Sequence, residues 1–205
     1  MSRDDLAEVV PSEPTLPDPE AWRVTATRMA FRNQWVSVEL DDVLLPNGDA
    51  YEYTRLAVAD NRAGAGVVGF NKDRTHVLMV REYRHGVGKV LWQFPAGLSN
   101  EGEDLAAAVV RELREETGYA PLGGAESLRY LGSTLDAPPL GLLRSHIFAA
   151  WDLELVADGF QRDTAEFLTI HWQSVEWLKG SVRSGEIEDR FVVCAVAYLL
   201  LNRLI

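Results

Sequence analysis

The sequence predicts an α/β fold: an α/β/α sandwich with a mixed sheet, preceded by a small N-terminal antiparallel β region. Short apolar runs such as Gly66-Val-Val-Gly-Phe70 and His76-Val-Leu-Met-Val80 alternate with turn sequences, the pattern of strands buried in a sheet. A glycine loop at Gly97 runs into a segment in which Leu105, Val109 and Leu113 recur every four residues, the spacing of a helix with one buried stripe. Two further helical segments close the chain, Ser174 to Gly185 and Glu188 to Leu201, the second mostly apolar and so expected to pack on the sheet.

Taken in order, residues 1–21 hold Pro11, Pro14, Pro17 and Pro19 among acidic residues, a composition that resists regular structure and predicts an arm. Residues 22–60 form the N-terminal β region, with Gln34–Leu40 and Tyr51–Leu56 as strands joined through Pro46-Asn-Gly-Asp49, a hairpin turn sequence. Residues 61–205 form the main domain. There Gly66–Phe70 and His76–Val80 flank the turn Asn71-Lys-Asp-Arg74, and Val90–Phe94 leads into the glycine loop. After the carboxylate-rich helix, strands are predicted at Tyr130–Thr134, Ser145–Leu153 and Phe167–Trp172.

The 205 residues are 47% apolar, ample for a core, so the chain is read as globular. A formal net charge of −11 opposes nonspecific binding to nucleic acid or to an anionic membrane, because both are polyanions. Cys194 is the single cysteine, which excludes an intrachain disulfide and a cysteine metal site and favours a reducing, cytoplasmic setting. The longest apolar run, Phe191 to Leu201, is far short of the roughly twenty residues that span a bilayer.

The chemistry concentrates between Gly97 and Tyr119. At about 100° per residue, Glu112, Glu115 and Glu116 fall within an arc of roughly 100° on one helix face. Like charges at this spacing destabilise an isolated helix by a few tenths of a kcal/mol per pair (about 0.2–0.5), and a divalent cation would reverse that sign. Clustered hard oxygen donors suit Mg²⁺ or Mn²⁺, and Mg²⁺ characteristically shares its positions with substrate phosphates. Most Glu-rich helices are merely solvated acidic faces, so the trio alone decides little. Gly118 is placed to end the helix in a left-handed conformation, and Glu103 to open it, where a carboxylate favours the N-terminal dipole.

The complete pattern decides more. Gly97, five positions, Glu103, seven positions, then Arg111-Glu112-Leu113-x-Glu115-Glu116-x-Gly118-Tyr119 resembles the Nudix box at every fixed position, with Tyr119 in an aliphatic place. Seven identities, each at about one residue in fifteen, coincide by chance roughly once in a hundred million windows. The resemblance implies the Nudix fold. It implies that Arg111 orients the neighbouring glutamates, that Glu112, Glu115 and Glu116 hold metal, and that the Ala96 carbonyl joins them.

Val80-Arg-Glu-Tyr-Arg84 followed by Trp92-Gln-Phe-Pro-Ala-Gly97 resembles the ADP-ribose pyrophosphatase branch. Arg84 is then a candidate to grip a diphosphate with its planar fork, or else forms a surface salt bridge with Glu82. In that branch a later loop tends to supply the general base, which points to Glu166 with Asp163 as substitute. A homodimer is implied, with Trp35 and Arg55 acting across its interface on a small-molecule nucleotide. Trp22, Phe31 and Trp35 stack on a nucleobase or fill a core, the core being the commoner fate of aromatic residues in strands. His146 and His171 have apolar neighbours and are read as strand residues, not bases.

Two departures from the branch stand out. A Gly123-Gly-Ala-Glu126 insertion shifts the following proline turn to Pro138-Pro139, and Leu140–His146 contains no carboxylate, which removes an extra metal ligand. Arg144 in that segment favours a more anionic or differently shaped substrate. The expected activity is metal-dependent hydrolysis of a nucleoside diphosphate linked to X, foremost ADP-ribose to AMP and ribose 5-phosphate. Alternatives are a nucleotide-sugar, a dinucleoside polyphosphate, an oxidised nucleoside triphosphate, or a sensor that binds ADP-ribose without cleaving it.

Overall fold

The computed structural model describes residues 18–58, 62–156 and 167–205. Most of the proline-rich arm, Asp163 and Glu166 lie outside the described residues. Strands β1 (Arg23–Arg32), β2 (Val36–Leu44) and β3 (Ala50–Val58) form an antiparallel sheet in that order. The Pro46–Asp49 turn closes the hairpin between β2 and β3, as its sequence predicts; Asn47 Oδ1 accepts from the Asp49 N–H at 3.0 Å. Strand β1 was not separately marked by the sequence, and its residues are exposed throughout.

The central sheet contains β4 (Gly64–Phe70), β5 (His76–Arg84), β6 (Lys89–Gln93), β7 (Ala96–Leu98), β9 (Arg129–Leu135), β10 (Arg144–Ala150) and β12 (Leu168–Ser174). Its main path runs β12-β5-β4-β10-β9, with β6 on β5 and β7 on β4. Only β4 and β10 pair in parallel among these strands, which makes the sheet mixed. A short pair, β8 (Tyr119–Pro121) with β11 (Leu153–Leu155), lies apart from it. The strand predicted from Ser145 to Leu153 is therefore two strands, interrupted where Asp152 takes a φ of 55°. The Gly123–Glu126 insertion forms a 3-10 turn at Gly124–Ser127.

Strand periodicity sorts the core into two layers. Along β4, Ala65 and Val67 face one layer and Val68 and Phe70 the other; β10 repeats this with Phe148 and Ala150 against Ile147 and Ala149. Helix α1 (Leu105–Thr117) covers the first layer with Val109 and Leu113, both fully buried. Helices α2 (Val175–Ser184) and α3 (Arg190–Leu201) cover the second with Leu178, Val192, Ala195, Val196 and Leu199. Both faces of the sheet are thus covered, so its inner strands read as continuous apolar runs and not as alternating ones.

The caps explain where α1 and α2 sit. Asp104 caps α1, its Oδ1 accepting from the Ala106 and Ala107 N–H groups at 2.9 and 3.1 Å, and Gly118 ends it in the left-handed region at φ 74°. This corrects the expectation for Glu103, which precedes the cap and turns to Arg111. Ser174 and Gly185 cap α2 at its predicted bounds.

In the N-terminal sheet, Asp41 is only 5% exposed and accepts from Thr27 Oγ1 at 2.6 Å and from Arg55 Nε at 2.8 Å. Arg55 Nη2 also pairs with Glu39 at 2.5 Å. These donors hold the Asp41 carboxyl below the ordinary carboxylate range, Arg55 contributing most. The sheet meets the main domain where the Leu56 N–H donates to the Leu140 carbonyl at 2.5 Å and the Tyr53 hydroxyl to Pro139.

Leu113→Ala removes a fully buried side chain between α1 and the sheet and should cost about 2–5 kcal/mol in urea unfolding; a loss under about 1 kcal/mol would contradict this packing. Asp41→Asn should destabilise the chain near neutral pH. Because the Asp41 pKa is lowered on folding, its contribution is complete above the ordinary aspartate value and disappears as pH falls through the lowered one. Melting curves of wild type and variant should accordingly converge in acid; a gap independent of pH would exclude the charge as its source.

Candidate active site

Ala96–Leu98 runs antiparallel to β4, with Gly97 opposite Ala65, and places this loop beside the carboxylate face of α1. A Cβ built on Gly97 would overlap the Glu112 carboxyl group. Glycine is needed here for close approach, since any larger residue would push Glu112 off the loop.

Arg111 ties the parts together. Its Nε and Nη2 each meet a different oxygen of Glu103 at 3.0 Å, a bidentate pair. Nη2 also donates to the Leu98 carbonyl at 3.1 Å, and Nη1 reaches Glu112 at 2.7 Å and Glu115 at 3.1 Å. Glu103 accepts in addition from the Asn100 N–H at 2.7 Å, so it joins the loop to the helix. Its carboxyl is held below the ordinary range, chiefly by the Arg111 hydrogen bonds, and the Arg111 guanidinium is correspondingly raised. Glu116, one turn on, is 5% exposed.

These groups form one wall of a cleft of about 300 Å³. Arg84 and Glu82 from β5 stand on it, joined to each other at 3.0 Å, and Arg84 Nε donates to Gln93 Oε1 at 2.5 Å. Arg84 forms the salt bridge with Glu82 that one reading of the sequence expects, and it also lines the cleft. Trp35 reaches the cleft from the N-terminal sheet at 52% exposure, with the Arg62 guanidinium 6.0 Å from its ring centre. Trp22 and Phe31 are also about half exposed, which overturns a core role for these aromatics. An isolated three-stranded sheet has too little cover to bury them.

The cleft thus gathers Ala96, Arg111, Glu112, Glu115, Glu116, Arg84 and Trp35. Arg55 is not among its lining residues and sits in the Asp41–Glu39 cluster. Glu166 and Asp163 lie outside the described residues. His146 and His171 lie on β10 and β12 as expected, and burial followed by the Arg144 charge lowers the His146 pKa. Arg62, Asn100 and the cleft position of Glu82 were not singled out from the sequence. Glu82 is two residues from Arg84 on one strand and so on the same face, a period-two signal that could have found it.

All the candidate metal donors are oxygens, the set expected for a hard divalent ion. Among the described residues no three acidic or imidazole groups already converge on one point. Arg111 Nη1 draws Glu112 and Glu115 to itself, and the side chain of Glu115, 34% exposed, has room to turn into the cleft.

The described helices include none long and apolar enough to cross a membrane. Comparison with known proteins is consistent along most of the chain. The family pattern described as NUDIX domain matches residues 60–191, and that of the nucleoside diphosphate sugar hydrolase N-terminal domain matches residues 22–56. The chain is 27% identical over 176 residues to the methanol dehydrogenase activator of Bacillus methanolicus, covering 86% of this chain and 91% of that protein. It is 26% identical over 180 residues to an ADP-ribose pyrophosphatase of Bacillus subtilis strain 168, covering 88% and 93%. A solved ADP compounds hydrolase superposes with a TM-score of 0.78 at 22% identity, covering 91% of this chain and 96% of that one, and shares the fold. With an intact box on a loop and helix that close around Arg111, and the NUDIX pattern spanning residues 60–191, the chain belongs to the Nudix hydrolases.

Proposed function

We propose that the cleft hydrolyses a nucleoside diphosphate linked to a second group, ADP-ribose foremost, to give AMP and ribose 5-phosphate. The observation that carries this reading is the presence, in the lining of one cleft, of three helix carboxylates and the Arg84 fork. The carboxylates suit a divalent ion, and the fork suits diphosphate oxygens. The names of the similar proteins, an ADP-ribose pyrophosphatase among them, support the same substrate class.

Glu112, Glu115, Glu116 and the Ala96 carbonyl would hold Mg²⁺, with Mn²⁺ as substitute. Such an ion neutralises diphosphate charge and acidifies the attacking water. Arg111 keeps Glu112 and the Leu98 carbonyl in place while this happens. Arg84, steadied by Glu82 and Gln93, binds the diphosphate and orients the scissile bond. Glu166, or Asp163 in its place, takes the proton from water as its oxygen attacks phosphorus and the bridging P–O bond breaks. Leu168 pairs in register with the cleft residue Glu82, which supports a source for this base shortly before Leu168 in the chain.

A second reading, a nucleotide-sugar hydrolase, is favoured by the pattern that residues 22–56 match. We also assign a homodimer to the N-terminal sheet. Met29, Phe31 and Val24 are each more than half exposed on β1, and apolar side chains exposed on one strand favour an association surface. Trp35 and Arg55 would then act across that interface.

Chromatography of products from a panel of ADP-ribose, nucleotide-sugars, dinucleoside polyphosphates and nucleoside triphosphates should show selective release of AMP from ADP-ribose. Cleavage of nucleotide-sugars alone selects the second reading, and no cleavage at all would reject hydrolysis in favour of ligand sensing. Glu116→Gln should lower turnover by orders of magnitude in a chain with an unchanged circular dichroism spectrum; near wild-type turnover would remove Glu116 from the site. Light scattering should give twice the chain mass, and a monomer mass would exclude the dimer.

A further inference from the structure

A second recess of about 360 Å³ adjoins the carboxylate cleft, and Ala96, Gly97 and Leu98 line both. Its polar lining is Gln93, Ser145, Asp189 and Arg190, gathered where α3 begins. The two therefore adjoin along β7, which pairs with β4 through Gly64, Ala65 and Gly66.

Arg190 is the first residue of α3, the end at which a helix dipole disfavours a cation. It is nevertheless held firmly. Asp136 takes its Nη2 at 2.6 Å and Thr134 its Nη1 at 2.5 Å, while Asp136 is itself fixed by Ser145 Oγ at 2.7 Å. Two of the five guanidinium N–H donors are thereby used among the described residues, and the side chain remains 39% exposed on the recess wall. Asp189 caps α3 through Val192 N–H and accepts from Gln93 Nε2 at 2.8 Å, and Gln93 in turn accepts from Arg84. A continuous hydrogen-bonded row therefore runs from the arginine of the cleft to the edge of the second recess.

A cleft of about 300 Å³ lies at the lower bound for small-molecule sites, so an adjoining recess is in place to take part of a two-headed substrate. Aromatic Trp35 marks the side suited to a flat base. The adjoining recess offers a guanidinium, a hydroxyl, an amide and a carboxylate, the partners of a hydroxyl-rich group. We infer that the Arg190 recess receives the hydroxyl-rich group X of the substrate, a sugar or sugar phosphate, and that Arg190 determines preference for it. The inference rests on the proposed diphosphate chemistry of the neighbouring cleft.

The test is calorimetric titration of the full chain, with Ca²⁺ in place of Mg²⁺ to slow turnover, using ADP-ribose and the terminal methyl ester of ADP. The two probes carry the same diphosphate charge and differ in group X. Wild type should bind ADP-ribose about tenfold more tightly, the scale of a charge-assisted hydrogen bond. Arg190→Met should bring the two affinities within twofold while leaving that of the methyl ester unchanged. Arg190→Gln, which keeps a donor toward Asp136, should behave alike and serves if the methionine variant does not fold. An absent preference in wild type, a retained preference in the variants, or equal weakening of both probes would each overturn the inference. Hydrolysis of ADP-ribose together with a retained preference rejects the recess alone; the expected binding without hydrolysis rejects the hydrolase reading alone.

Discussion

The four carboxylates of the box, Glu103, Glu112, Glu115 and Glu116, are tolerable on one short stretch of chain because Arg111 stands among them. Like charges on adjacent helix turns repel, and partial burial strengthens that repulsion by removing water. The guanidinium answers Glu103, Glu112 and Glu115 at once and keeps one donor for the Leu98 carbonyl. The loop, the helix start and the helix face are therefore one unit. Gly97 completes it, since only a residue without Cβ lets Glu112 lie against the loop.

That unit has a rigid base. Fully buried Val109 and Leu113 seat α1 on Val67 and Leu78, while Phe70, Val77 and Met79 seat the sheet on α2 and α3. Close-packed interiors of this kind transmit position with little slack, so polar groups at the sheet end keep their spacing. The polar row Arg84–Gln93–Asp189 crosses from one layer to the other at that end. It gives the two recesses that share β7 a common frame.

Much of the fold was legible because its signals are local. The caps Ser174 and Gly185, the hairpin turn at Asn47-Gly48, and the apolar runs of β4 and β5 each depend on neighbours in the chain. The signal failed where a strand is barely longer than its two-residue period, as in β7 and β8 with three residues each. It failed also at Asp152, where one residue at positive φ splits a run that reads as a single strand. Glu103 was placed one step too far into the helix, because a capping Asp104 beside it carries the same charge and a better geometry.

By itself the sequence determined the carboxylate face, the glycine loop before it and the family they identify, since all three are set by spacing along a helix and a turn. Only the tertiary structure decided which distant side chains share the cleft. It brought Trp35, Arg62 and Glu82 to the box and left Arg55 with Asp41. It also set Asp136 against Arg190, more than fifty positions apart, on a recess that no motif announces. The physical reason is that spacing governs contacts within one element, whereas contacts between elements follow from sheet register and layer packing, which distribute their cause over the whole core.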